Sequence, residues 1–185
     1  MTFSDLFSLK DHLFPFKNLV FDATLCALRP IQSLDHICFT AGYSLGNATD
    51  EAKRDVLSYL WSLFEDHAMV DNFLDLLATV LCGKRASRVI VLFRGSGGNG
   101  KTMLSHFLYN AFRSFAAPLM LGHVARLNRR GSCTGRDIPY LRDKRLLYCP
   151  ELLHDMKLSQ GLIKFFTEQD PIFVHSARNE ERFVS

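Results

Sequence analysis

Eight consecutive residues constrain this chain more than any others. Gly95, Ser96, Gly97, Gly98, Asn99, Gly100, Lys101 and Thr102 fill every fixed position of the pattern G-x-x-x-x-G-K-[ST]. Immediately before them, Arg88 to Phe93 is a short β-branched apolar run that predicts a buried strand. After them, Met103, Leu104, Phe107, Leu108, Ala111 and Phe112 fall at helical spacing. Strand, glycine-rich loop and helix in that order form a phosphate cradle: backbone N–H groups turn inward around the anion, and the helix N-terminus adds unpaired donors and the positive end of its dipole. Lys101 supplies a point charge for the β- and γ-phosphates, and the Thr102 hydroxyl is placed to ligate Mg²⁺. The pattern predicts a nucleoside triphosphate ligand, held by residues 95 to 102.

At 185 residues, the chain is long enough for one ordinary domain, or a small domain and part of a second. A content of 48% hydrophobic and 22% charged residues is that of a globular protein. The net charge of +3 names no partner by itself. Its distribution says more: Arg126, Arg129, Arg130, Arg136, Arg142, Lys144 and Arg145 face only Asp137 and Asp143 in the same stretch. Such a patch meets either nucleic acid or phosphates, or is a solvated loop with its arginine stems laid along the surface. Cys26, Cys38, Cys82, Cys133 and Cys149 are odd in number and form no C-x-x-C pair, which predicts free thiols in an intracellular, reducing compartment. The seven histidines show no metal-ligand spacing. No apolar run approaches the length of a membrane span, and charges interrupt the N-terminus, so no membrane association is expected.

Along the chain, Lys17 to Asp22 predicts a short strand. Thr49 is placed as the N-cap of a helix with Asp50 and Glu51 in its first turn, and Val56, Leu57, Leu60, Trp61 and Phe64 make its apolar face. Asp66 or His67 interrupts it. A second helix is expected from about Val70 to Cys82, ended by Gly83, with Lys84 and Arg85 at its negative dipole end. Further strands are expected at Pro118 to Leu121, Arg145 to Cys149 and Pro171 to Val174, and a short helix at Ser159 to Thr167. Strands alternating with helices predict a parallel α/β sheet. Glu151, just past the apolar run Leu146 to Cys149, stands at the strand end where such sheets bind ligands, and is the expected acid for Mg²⁺ or the attacking water.

These residues resemble the superfamily-3 helicases, specifically the primase-helicase branch of large DNA viruses, phages and plasmids. Gly95, Gly97, Asn99, Gly100, Lys101 and Thr102 match the branch's G-x-G-x-N-G-K-[ST]. Leu141, Lys144, Arg145, Leu146, Leu147, Tyr148 and Glu151 follow its L-x-x-K-R-h-h-h-x-x-E, where h is apolar. Ile163, Lys164, Phe166, Thr167 and Asp170 match I-K-x-h-T-G-G-D, with Glu168 and Gln169 in place of the two glycines. Upstream, Phe16 to Asp22 is similar to an F-K-N-G-h-h-D segment, with Leu19 in place of the glycine.

The resemblance implies an α/β, P-loop NTPase core of AAA+-like type over 86–185, preceded by a mainly helical region over 1–85. It implies ATP and Mg²⁺ as cofactors, with Lys101 and Glu151 catalytic, Thr102 and Glu151 at the metal, and Lys164 and Asp170 coupling the site to DNA or a neighbouring subunit. Single-stranded or forked DNA and a homo-oligomeric, hexameric ring are the implied partners. Members of the branch continue into a sensor strand and an arginine finger. The chain ends at Ser185, ahead of both, so the sheet is expected to be incomplete at its C-terminus and the product truncated. Two other readings stay open: a small P-loop kinase of nucleotides or metabolites, with Arg126 to Arg136 as its lid, and a non-catalytic nucleotide-binding or interaction module.

Overall fold

The computed structural model describes residues 10–64, 66–83, 89–93, 98, 100–119, 133–134, 143–149, 172–175 and 181–184. The chain divides into two compact units, one built from Met1–Ser87 and Gly95–Phe115, the other from Arg88–Arg94 and Ala116–Ser185. The architecture mixes helices with small sheets, and two strand pairs are parallel, as in an α/β fold.

The first unit opens with an antiparallel meander, β1 (Leu13–Pro15), β2 (Val20–Asp22) and β3 (Ala27–Arg29), paired in that order. The pattern in 17–22 anticipates β2 but neither of its neighbours. β1 carries Leu13, Phe14 and Pro15 almost without exposure, so burial rather than alternation fixes it. A tight turn joins β1 to β2 through the Phe16 N–H donating to the Leu19 carbonyl at 2.8 Å. Asn18 secures that turn from outside: its amide donates to the Leu45 carbonyl at 2.9 Å and its carbonyl accepts from the Leu45 N–H at 2.8 Å.

Asp22 and Asp35 are buried acids, and Arg29 joins them. The guanidinium donates to Asp22 at 3.0 Å and grips Asp35 with two bonds of 2.8 and 2.9 Å. The remaining lone pairs are also satisfied. Asp22 accepts from the Thr24 hydroxyl at 2.6 Å and the Thr24 N–H at 3.0 Å, and Asp35 accepts from the Gln32 N–H at 2.8 Å. These bonds hold both carboxyls well below the usual range, at about 2. For Asp22 the Thr24 hydroxyl is the main cause, and for Asp35 it is Arg29. Among the described residues, no buried side-chain nitrogen or oxygen lacks a hydrogen-bond partner.

Helix α1 (Asp50–Leu63) starts where expected: the Thr49 hydroxyl accepts from the Ala52 N–H, and Asp50 and Glu51 occupy the first turn. Replacing Thr49 with Ala is expected to cost about 1 kcal/mol in a urea titration, because the Ala52 donor then has only water. Of the predicted apolar face, only Leu60 is buried; Val56 and Trp61 are exposed. Helix α2 (His67–Leu81) is capped by the Asp66 carboxylate and buries Val70, Phe73 and Val80. It ends at Gly83, whose φ of +76° is left-handed. A β-carbon there would also fall on the Asp11 backbone carbonyl, so both the turn and the close approach demand glycine. Among the described residues, no helix is long and apolar enough to cross a membrane.

Helix α3 (Lys101–Phe112) completes the core of this unit and is held at both ends. At its C-terminal end, Phe112 and Phe115 pack on Phe14 of β1, with ring centroids 6.1 and 4.4 Å apart, and Phe39 lies 5.1 Å from Phe115. The Tyr43 hydroxyl donates to the Ala111 carbonyl at 2.7 Å. At the N-terminal end, Tyr59 of α1 meets Phe107 at 6.3 Å.

In the second unit, β4 (Ala116–Pro118) pairs in parallel with β6 (Leu146–Tyr148), with Ala117 opposite Leu147. Pro118 has no N–H, and the Leu119 N–H carries the ladder on to the Tyr148 carbonyl at 2.7 Å. β4 lies slightly upstream of the expected strand at Pro118 to Leu121. A second sheet pairs β5 (Cys133–Thr134) in parallel with β7 (Ile172–His175), and β7 antiparallel with β8 (Glu181–Val184). The strands expected at Arg145 to Cys149 and Pro171 to Val174 are thus found in β6 and β7.

The run before the glycine loop corrects the expectation made for it. Residues 89–93 form no part of a described strand, and Val89, Ile90, Val91, Leu92 and Phe93 are 42–65% exposed. β-branched composition expresses a fit to a pleated, half-buried surface, and a strand exists only where a partner supplies that surface. β4 and β6 find it in each other; among the described ladders, 89–93 belongs to none. The helix expected at Ser159 to Thr167 lies outside the described residues, as do Lys84, Arg85, Met120 and Leu121.

Candidate functional site

The three long helices begin differently. α1 and α2 have side-chain caps, from Thr49 and Asp66. α3 begins at Gly100, which has no side chain to offer, and its first turn contains no acid. The first N–H groups of a helix have no partner within it, and together with the dipole they favour an anion. Gly100 sits at φ +82° and ψ 0°, and Gly98 at φ +78°, so the chain enters α3 through left-handed backbone that an L side chain adopts only at a cost.

Lys101 and Thr102 are the first two residues of α3. Thr102 is exposed and Lys101 half-buried, so the hydroxyl and the ammonium stand beside the uncapped donors. The Lys101 carbonyl accepts from the Ser105 hydroxyl at 3.2 Å, and the Gly100 carbonyl from the Leu104 N–H at 2.9 Å. A cation at the positive end of a helix is electrostatically disfavoured there, and it becomes useful when an anion lies between the two. Donors, ammonium and hydroxyl suit a phosphate with an accompanying hard cation.

Of the other residues expected at the site, Gly95, Ser96, Gly97, Asn99 and Glu151 lie outside the described residues, as do Lys164, Asp170 and the arginines 126 to 142 of the basic stretch. β6 is the strand that leads toward Glu151. Cys26, Cys38 and Cys82 are exposed free thiols and Cys149 is half-buried.

Two residues reach the loop that sequence reasoning did not single out. The Tyr59 hydroxyl donates to the Gly100 carbonyl at 3.4 Å, and a β-carbon placed on Gly100 would lie 2.6 Å from Leu63 Cδ2. Tyr59 and Leu63 are one helical turn apart on α1, an i, i+4 pair that flanks the predicted apolar face and was available as a signal.

No family model matches the chain. It is 27% identical over 175 residues to "Putative helicase L207/L206" of Acanthamoeba polyphaga mimivirus, a similarity that takes in 92% of this chain. The chain spans 18% of the length of that relative.

Proposed function

We propose that this chain is the ATP-binding and ATP-hydrolysing portion of a DNA replication helicase of the superfamily-3, primase-helicase type. The observation that carries this reading is the start of α3: an uncapped helix N-terminus, entered through left-handed Gly98 and Gly100, with Lys101 and Thr102 in its first turn. Similarity along most of the chain to a helicase-named protein of a giant virus supports it.

In this reading the backbone donors of residues 95 to 102 hold the phosphates, and Lys101 pairs with the β- and γ-oxygens. Thr102 and Glu151 are the oxygen donors for Mg²⁺, which when bound neutralises charge on those oxygens. Glu151 orients the attacking water and draws its proton as the oxygen–phosphorus bond forms. Forked DNA and further copies of the chain are the proposed partners.

Titration of the purified protein with a non-hydrolysable ATP analogue and Mg²⁺ tests the reading, followed by steady-state ATPase with and without forked DNA. Saturable triphosphate binding, and turnover that rises with DNA, are expected. A protein that binds no nucleotide at millimolar concentration refutes the assignment.

A further inference from the structure

α1 does more at the loop than fill space beside it. Its last two turns bring Tyr59 and Leu63 onto a single backbone position, Gly100, which is both the last glycine of the loop and the residue from which α3 starts. The Gly100 carbonyl accepts twice, from the Leu104 N–H at 2.9 Å within α3 and from the Tyr59 hydroxyl at 3.4 Å across the helix pair. Leu63 closes the side on which a β-carbon would project. The Tyr59 ring is anchored on Phe107, two turns further along α3. Burial pushes the Tyr59 hydroxyl above its ordinary range, so it remains a proton donor throughout neutral pH.

A left-handed residue at the start of a helix has other conformations open to it, glycine most of all. Rotation of the Gly100 peptide would turn the following N–H groups away from a bound phosphate. We infer that Tyr59 and Leu63 are positioning residues that hold the Gly100 peptide in its anion-accepting orientation, so that α1 sets the nucleotide affinity of a loop some forty residues downstream. This inference rests on the phosphate-binding reading of α3. Neither side chain contacts the ligand in this scheme; both act through Gly100.

The test uses Tyr59→Phe, which keeps the ring on Phe107 and removes only the hydroxyl, and Leu63→Ala, which opens the space over Gly100. Trp61→Phe, in the same turn but 45% exposed, is the control. Amide exchange at Leu104, whose N–H shares the Gly100 carbonyl, reports the brace without any nucleotide. Binding of a non-hydrolysable ATP analogue reports its effect on the loop. Because the Tyr59 bond is long, Tyr59→Phe is expected to speed Leu104 exchange and weaken the analogue about threefold each, with α2 exchange unchanged. Leu63→Ala is expected to do more, and Trp61→Phe nothing. Unaltered Leu104 exchange in both Tyr59→Phe and Leu63→Ala overturns the inference. So does unaltered analogue affinity in both variants of a protein whose wild type binds. Faster Leu104 exchange in a protein that binds no nucleotide would uphold the brace and remove the phosphate-binding reading instead.

Discussion

Lys101→Ala is expected to weaken binding of a triphosphate about a hundredfold and to abolish turnover, while leaving the fold intact. The ammonium makes charge-assisted bonds to phosphate oxygens, worth about 1.5–3 kcal/mol each, and two such bonds exceed a factor of ten in affinity. The loss should grade with phosphate number. A monophosphate lacks the β- and γ-oxygens that Lys101 serves and should bind the variant nearly as well as the wild type. Stability should move the other way, if at all, since the variant removes a positive charge from the positive end of α3. Calorimetric titration with mono-, di- and triphosphate, beside a thermal melt, reads both effects. Equal weakening for all three nucleotides, or a parallel loss of melting temperature, would mean that Lys101 supports structure rather than phosphate.

Asp35→Ala should produce the largest loss of stability, about 3 kcal/mol at neutral pH. Asp35 is 3% exposed and accepts both a two-bond grip from Arg29 and the Gln32 N–H. Its removal leaves a guanidinium holding only Asp22 and a backbone donor with no acceptor. The pH dependence follows from linkage. The folded-state pKa of Asp35 is lowered from 3.8 to about 2, so its contribution is complete above about 4 and fades as pH falls toward about 2. Urea titrations at pH 7 should therefore separate variant from wild type widely, and the gap should narrow steadily between pH 4 and pH 2. A gap that persists unchanged into acid would show that the loss comes from packing rather than from the ionised carboxylate.

What was legible in the sequence was what neighbours along the chain decide. Thr49 is a cap because its hydroxyl reaches a donor three residues on, and Gly83 ends α2 because its φ is positive; both signals are local. Lys101 and Thr102 are read from spacing for the same reason. The three-residue strands β1 and β3 are too short to show a period, and β1 is identified by burial that only the folded chain supplies. The run 89–93 has the composition of a strand, but composition does not provide a partner. The face of α1 was misjudged by a small rotation. Val56 and Trp61 meet water, while Tyr59 and Leu63 meet α3, because a helix presents to its neighbour whichever side the neighbour occupies. The brace on Gly100 joins residues about forty positions apart, and no window along the sequence spans that distance.

The aromatic contacts of Phe14 with Phe112 and Phe115 also set an order of events during synthesis. The partners are about a hundred residues apart, and a ribosome adding roughly 5–20 residues per second delivers the later ones some 5–20 s after the first. Until then the meander and the first two helices carry an open aromatic socket. Closing so long a loop costs entropy that only the finished contact offsets, which makes docking of α3 the late and slow event in folding. The element that begins with the phosphate loop is thus the keystone of its own unit, and the loop takes up its support from α1 only once that unit has closed.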